Sequence, residues 1–286
     1  MHDPITFRSH YWLNFWLVIG FFTLPPSLSM ANNDFRSRLH QVTQNQYQNE
    51  DIIAERRFGR EVAAHILGNQ HKYDDPDLTR YVNLVGTALA LNAPRSELYY
   101  YFAIIDDDSI NAYSSPGGYI FITKGAINLA KDEAELAAIL AHEIAHVTER
   151  HIVRELNIRG REHSGLSGIT RLLGGSADTT RAALGQAVDK AMEIIFNTGF
   201  KIEDELEADR VATLLLAQTG YDPTALQRYL LRADSANQTS KDKTNRSHPS
   251  SDKRHNELTN LIQEEGLGEL HYHTAEERFK HYVIAK

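Results

Sequence analysis

Three residues with the chemistry of a metal site stand together in His142-Glu143-Ile144-Ala145-His146, an H-E-x-x-H pentapeptide. On a helix, positions four apart share a face, so both imidazoles can be aimed at one zinc ion. Zinc favours neutral imidazole nitrogens, lowers the pKa of a water in its open position toward roughly 7 and polarises a carbonyl under attack. Glu143 projects beside the two histidines, placed to take the proton from that water and pass it to a departing amine. A two-histidine site needs a third protein ligand, and a helix-borne carboxylate is the expected kind. The acidic stretch Glu203-Asp-Glu-Leu-Glu-Ala-Asp209 offers Glu203, Glu205 and Glu207, and spacing alone leaves the three open. Glu205 and Asp209 lie four apart on one face, so one can bind metal while the other holds a ligand imidazole in its tautomer.

The elements that must position these residues follow from local pattern. Asp132 and Glu135 form a carboxylate variant of the capping box, and residues 136–147 contain no Gly or Pro. The helix they predict is apolar nearly all round and is expected to be buried. Upstream, residues 50–67 fit an amphipathic helix closed by Gly68, and Asp75-Pro76 opens another that ends before Pro94. Leu98–Ile105 and Tyr119–Thr123 read as strands of a small antiparallel sheet beside the metal helix, joined through Asn111–Gly118. Such a sheet can accept an extended peptide on its edge or serve as a purely structural hairpin. Downstream, 148–156 reads as a solvated continuation of the metal helix with His151 at the surface. The Gly-, Ser- and Thr-rich stretch 160–185 reads as a mobile lid over the cleft, with a weak helix pair as the alternative. A helix through Leu214–Leu216 stops at Thr219-Gly220, Asp222-Pro223 opens the next, and a last one runs from about Ser251 to Gly266.

The expected class is thus α+β and mainly helical, organised as a signal peptide (1–31), a flexible leader (32–49), a metal-binding domain (50–265) and a polar C-terminal tail (266–286) with His271 and His273 at the surface. The signal reading rests on an apolar run from Trp12 to Leu24, Pro25-Pro26 after it, and small residues at Ser29 and Ala31, after which cleavage is expected. At 286 residues and 42% hydrophobic, the chain can build a sizeable core. Its net charge of −8 and lack of a basic stripe argue against nucleic acid as a partner. The absence of cysteine excludes disulfides, thiolate ligands and a lipidated N-terminal cysteine, so the chain is not expected to be a lipoprotein.

Several motifs in one order resemble the HtpX- and CAAX-prenyl-protease-type zinc metallopeptidases, most closely the BepA-like periplasmic members and their short relatives. They are Ile110-Asn111-Ala112 with Gly117-Gly118, Ala141–His151, Glu205-Leu-Glu-Ala-Asp209-Arg210, Gly220-Tyr-Asp-Pro223, and Ser247-His248-Pro249 with Arg254. The resemblance covers roughly residues 50–262. It implies a zincin-like, mainly helical fold with one zinc ion held by His142, His146 and Glu205. It further implies Glu143 as the catalytic base and Asp209 as a carboxylate beside the metal histidines, with Glu203 and Glu207 left to the surface. His248 would take the fourth metal position and hold the enzyme latent, and Arg254 would face the cleft and steady the oxyanion. Asn111, Ala112, Gly117 and Gly118 would contact substrate. By the same resemblance the chain is expected in the periplasm as a soluble or peripherally membrane-bound protease. It would cleave unfolded or misassembled envelope proteins, with the outer-membrane assembly machinery as a possible partner. The alternative is a chaperone-like assembly factor using the same cleft with largely latent proteolysis.

Overall fold

The computed structural model describes residues 49–159, 177–239, 248, 252–269 and 272–284. The expected signal segment, nearly all of the leader and residues 160–176 of the expected lid lie outside the described residues. Helix α1 (Asn49–Asn69) passes through Gly68, around which there is open space, and so ends slightly later than its sequence predicts. Helix α2 (Pro76–Ala90) starts as predicted. The Asp75 carboxylate accepts the Leu78 N–H at 2.9 Å, and Pro76 occupies the first turn, where a missing N–H leaves nothing unpaired.

Three strands follow, β1 (Tyr101–Ile105), β2 (Ala112–Ser115) and β3 (Tyr119–Thr123), in the order β1-β3-β2. β3 runs antiparallel to β2, with Ala112 opposite Ile122, and parallel to β1, with Tyr101 opposite Tyr119. The sheet is therefore mixed, which corrects the antiparallel sheet expected above. The reason lies in Ala112-Tyr-Ser-Ser115, whose polar composition reads as loop. All four residues are buried, and they take the hairpin position beside β3, leaving β3's other edge to β1. Gly117 and Gly118 make the hairpin turn at φ +79° and +98°, where side-chain-bearing residues are strained. A Cβ on Gly118 would also lie 2.3 Å from the Tyr99 carbonyl oxygen.

The helices after the sheet are α3 (Lys124–Leu129), α4 (Glu133–Thr148), α5 (His151–Glu155), α6 (Ala177–Glu193), α7 (Ile202–Thr219), α8 (Ala225–Thr239), α9 (Asp252–Glu264) and α10 (Glu276–Phe279). A π-helical turn, Ile194–Thr198, extends α6. The metal-motif helix α4 is capped as predicted: Asp132 accepts the Glu135 N–H at 2.9 Å, and Glu135 reaches back to the Lys131 N–H at 2.8 Å. Every residue of α4 is buried. It packs against α2, α7, α8 and β2, so the helix bearing the chemistry is also the axis of the core. β3 divides that core by strand alternation. Ile120 and Ile122 face a cluster with Val82, Val85, Leu140, Ile144 and Leu215, while Phe121 faces one with Phe58, Val62, Tyr113 and Ile195. No helix of the described residues is long and apolar enough to cross a membrane.

The segment read as a polar tail is instead part of the core. Phe279 is fully buried, and Tyr282 stacks on Tyr81 with ring centroids 4.5 Å apart. Buried Glu133, in the first turn of α4, accepts from Tyr81 at 2.8 Å and Tyr221 at 2.6 Å and pairs with Arg278. Burial alone would raise the Glu133 pKa, but these bonds outweigh it and hold the carboxyl below the usual range. Phe279→Ala is expected to lower the unfolding free energy by about 3–5 kcal/mol in a urea titration. A loss below about 1 kcal/mol would contradict docking of this segment.

Candidate metal centre

The site forms where α4 crosses α7, with α9 and His248 closing it. The i, i+4 spacing brings the Nε2 atoms of His142 and His146 to 3.0 Å of each other. Glu205, in the first turn of α7, places its carboxylate 3.5 Å from His142 Nε2 and 3.7 Å from His146 Nε2. His248 Nδ1 is 2.8 Å from Glu205 Oε1, and its Nε2 is 3.2 Å from Glu143 Oε1. One donor atom from each of His142, His146, Glu205 and His248 lies within 4.8 Å of the other three. Of the three acidic candidates on α7, Glu205 alone joins this group. Glu203 is exposed, and Glu207 points to another partner.

A second layer holds these groups. Asp209, one turn beyond Glu205 on α7, is 3.0 Å from His142 Nδ1. A proton on that nitrogen leaves Nε2 bare for a metal. Arg254 of α9 is buried, with Nε and Nη2 on the two Asp209 oxygens at 2.7 and 2.6 Å and Nη1 on Glu205 at 2.7 Å. Arg254, expected to face the cleft, thus rests all three nitrogens on carboxylates of the site. Phe200 stacks on the His146 ring with centroids 4.0 Å apart.

Electrostatics follow from this burial. Burial alone would raise the carboxyls of Glu205 and Asp209. His248 and Arg254 outweigh it and hold Glu205 well below its ordinary value, as Arg254 and His142 do for Asp209. Burial, with the neighbouring His142 and His151, depresses His146, which therefore stays neutral, as a metal ligand must. For His248 burial is overcome by Glu205 and Glu143, which push its pKa up to about 10. An imidazolium thus stands where two buried carboxylates call for a cation.

A model of peptidase family M48 matches residues 75–262. The chain belongs to this family. Among relatives, a beta-barrel assembly-enhancing protease of Yersinia pestis is 33% identical over 172 residues, 58% of this chain and 35% of that protein. The protein of the same name from Escherichia coli strain K12 is 30% identical over 183 residues, 63% of this chain and 37% of its own length. The mitochondrial metalloendopeptidase OMA1 of Schizosaccharomyces pombe is 31% identical over 158 residues, 55% and 44% of the two chains. The matches thus span less than half the length of each of these relatives.

As in M48 peptidases generally, the chemistry to be expected is metal-dependent peptide hydrolysis, and the residues present fit a metal. The donor set of imidazoles and a carboxylate suits a divalent transition ion. The buried Glu143 Oε2 has no hydrogen-bond partner among the described residues. Of the residues expected to touch substrate, Asn111 and Ala112 lie where the chain enters β2, an edge strand packed on α4. Gly117 and Gly118 form the turn at that strand's other end.

The clearest misreading from sequence concerns His151. It is buried, not at the surface, with its Nδ1 2.7 Å from His146 Nδ1. The helix does not continue past Thr148. Arg150 adopts φ +57°, ψ +37° and turns the chain into α5, although Thr148-Glu-Arg150 contains no recognised helix breaker. Phe200 carried no signal at all, since a lone aromatic after Thr198-Gly199 has no period to read.

Arg254→Met leaves two buried carboxylates without their cation and is expected to destabilise metal-free protein by about 3–5 kcal/mol at pH 7. Because both carboxyls are depressed in the fold, that stabilisation is present above the unfolded carboxylate pKa and is lost as pH falls through the folded one. The difference between variant and wild type in urea unfolding should therefore shrink below about pH 4. A difference under about 1 kcal/mol at pH 7 would contradict the pairing.

Proposed function

We propose that this chain is a zinc-dependent endopeptidase of the bacterial cell envelope that cleaves misfolded or misassembled proteins and is held latent by His248. The observation that carries the reading is the convergence of His142, His146, Glu205 and His248 around the buried Glu143. The two Nε2 atoms are 3.0 Å apart, and they lie 3.5 and 3.7 Å from Glu205 Oε2 and Oε1 respectively, distances close to the edge of a tetrahedron with zinc-ligand bonds, about 3.3 Å. When bound there, zinc supplies a Lewis acid for the scissile carbonyl and acidifies the attacking water.

The chain's own groups do the rest. Glu143 accepts the proton of the attacking water and delivers it to the leaving amine, which separates as a neutral product. Asp209, oriented by Arg254, keeps the proton on His142 Nδ1. Strand β2 offers its edge for an extended substrate, beginning at Asn111 and Ala112. His248 lies against both the base, at Glu143 Oε1, and the third ligand, so its ring occupies space beside Glu143 that a substrate would need. This contact also favours a second reading, an assembly factor that binds clients in the cleft with proteolysis mostly silent. Support for an envelope setting comes from the relatives named as beta-barrel assembly-enhancing proteases. We place the chain in the periplasm, exported by the segment ending at Ala31, with unfolded envelope proteins as substrates and the outer-membrane assembly machinery as a partner.

Two variants test this. Glu143→Gln is expected to bind one zinc per chain yet to lose casein cleavage by roughly 100-fold or more; full activity would remove Glu143 as the base. His248→Ala is expected to raise basal cleavage. Activity equal to or below wild type would overturn the latch.

A further inference from the structure

Among the described residues outside the four-ligand cluster, the other group of metal-binding side chains is His151, Asp204 and Glu207. Its position beneath the site, not a second metal, explains it. Arg154 Nη2 sits 2.9 Å from Asp204 and 3.0 Å from Glu207, so a guanidinium already balances both carboxylates. His151 is fully enclosed, with one ring nitrogen on His146 and the other on Glu207.

The proton positions follow by elimination once the metal-centre reading above is accepted, on which this inference rests. His146 turns Nε2 toward His142 Nε2 at 3.0 Å and Glu205 Oε1 at 3.7 Å, so Nε2 is the nitrogen given to the metal. A neutral imidazole ligating through Nε2 carries its proton on Nδ1. At 2.7 Å from His151 Nδ1, that proton must be donated, because two bare or two protonated ring nitrogens would repel at this distance. His151 Nδ1 is then the acceptor, and the neutral ring keeps its proton on Nε2. There Glu207 Oε2 accepts it at 3.1 Å. Glu207 is an obligate acceptor in its ionised form, and hydrogen bonds from His151 and Arg154 hold it in that form.

We propose that His151 is a positioning residue that locks His146 in the Nδ1–H tautomer with Nε2 facing the metal, and that Glu207 and Arg154 orient His151 in turn. His142 has a carboxylate, Asp209, against its Nδ1. His146 has a carboxylate one residue further away, with a second imidazole between. The local backbone is built for this. On a continuous helix a residue five positions on would lie about 140° around the axis from His146. The left-handed Arg150 breaks the helix and folds His151 back under the ring. Arg150 is itself held by buried Glu55 at 3.3 Å and by Glu97 at 3.6 Å.

The test compares wild type with His151→Leu, His151→Asn and Glu207→Ala. Zinc affinity is measured by competition with a chromogenic chelator, and the His146 tautomer is read from ring 15N shifts in metal-free protein. His151→Leu is expected to bind zinc roughly 10- to 100-fold more weakly, with His146 mixing tautomers. His151→Asn, whose side-chain oxygen falls near the place of Nδ1, is expected to recover most of that affinity. Glu207, at the protein's surface edge, can be removed without emptying the core. Its loss is expected to weaken zinc several-fold and to release the His151 tautomer, which keeps the test decisive should His151→Leu fail to fold. Unchanged affinity and tautomer in His151→Leu, or in Glu207→Ala, would overturn the inference. Equal losses in the Leu and Asn variants with the His146 tautomer unaltered would reduce His151 to packing. Folded wild-type protein that takes up no zinc would instead overturn the metal-centre reading, while the tautomer measurement would still report on the hydrogen bond itself.

Discussion

Burial of charge in an apolar helix pair is the constraint on which this structure depends. α4 has no solvent-facing side, yet it carries two imidazoles and a carboxylate at its centre, and α7 adds two more carboxylates against it. Ionised groups taken out of water are tolerated only when paired and hydrogen-bonded. The described structure answers with cations at fixed places. Arg254 spans Asp209 and Glu205, and His248 bridges Glu205 and Glu143. Both come from beyond α7 in sequence, so the chain must return over the α4–α7 crossing before the site is electrostatically complete.

The cations differ in permanence. Arg254 is buried and uses every nitrogen on carboxylates, a fixed part of the scaffold. His248 is more accessible and meets both carboxylates through its ring, so its contacts are the ones a divalent metal can replace. The same economy governs the backbone. A left-handed, non-glycine Arg150 is costly by about 1–2 kcal/mol, and ion pairs to Glu55 and Glu97 hold it there. Strain of this kind beside a reactive cluster is where a fold exchanges stability for placement.

Much of the site was legible because its signals are local or periodic. The capping pair Asp132 and Glu135, the unbroken apolar helix, and the i, i+4 histidines each predict their own geometry, and the structure has them. Asp75-Pro76 and Gly220 likewise marked helix ends through backbone chemistry. What sequence left open was tertiary. Spacing alone could not choose among Glu203, Glu205 and Glu207, since the choice depends on how α7 is rotated against α4. The family resemblance supplied that choice, and the geometry brings Glu205 to the histidines. The mixed sheet was missed because Ala112-Tyr-Ser-Ser115 is polar by composition and becomes a strand only by being covered. The C-terminal segment was misread because Phe279 and Tyr282 are sparse apolar residues whose partners lie far back in the chain. Arg150 hid His151 for a related reason, since a left-handed arginine is stabilised by distant acids and leaves no local mark.

The central claim is that His142, His146 and Glu205 hold one metal ion against Glu143. The most direct measurement is anomalous X-ray scattering at the zinc edge, from crystals of protein purified without added metal. The account predicts a single peak within bonding distance of His142 Nε2, His146 Nε2 and the Glu205 carboxylate, roughly 2.0–2.2 Å from each. A peak on His151, Asp204 and Glu207 instead, or an ordered site with no peak and His248 still on Glu143, would contradict it.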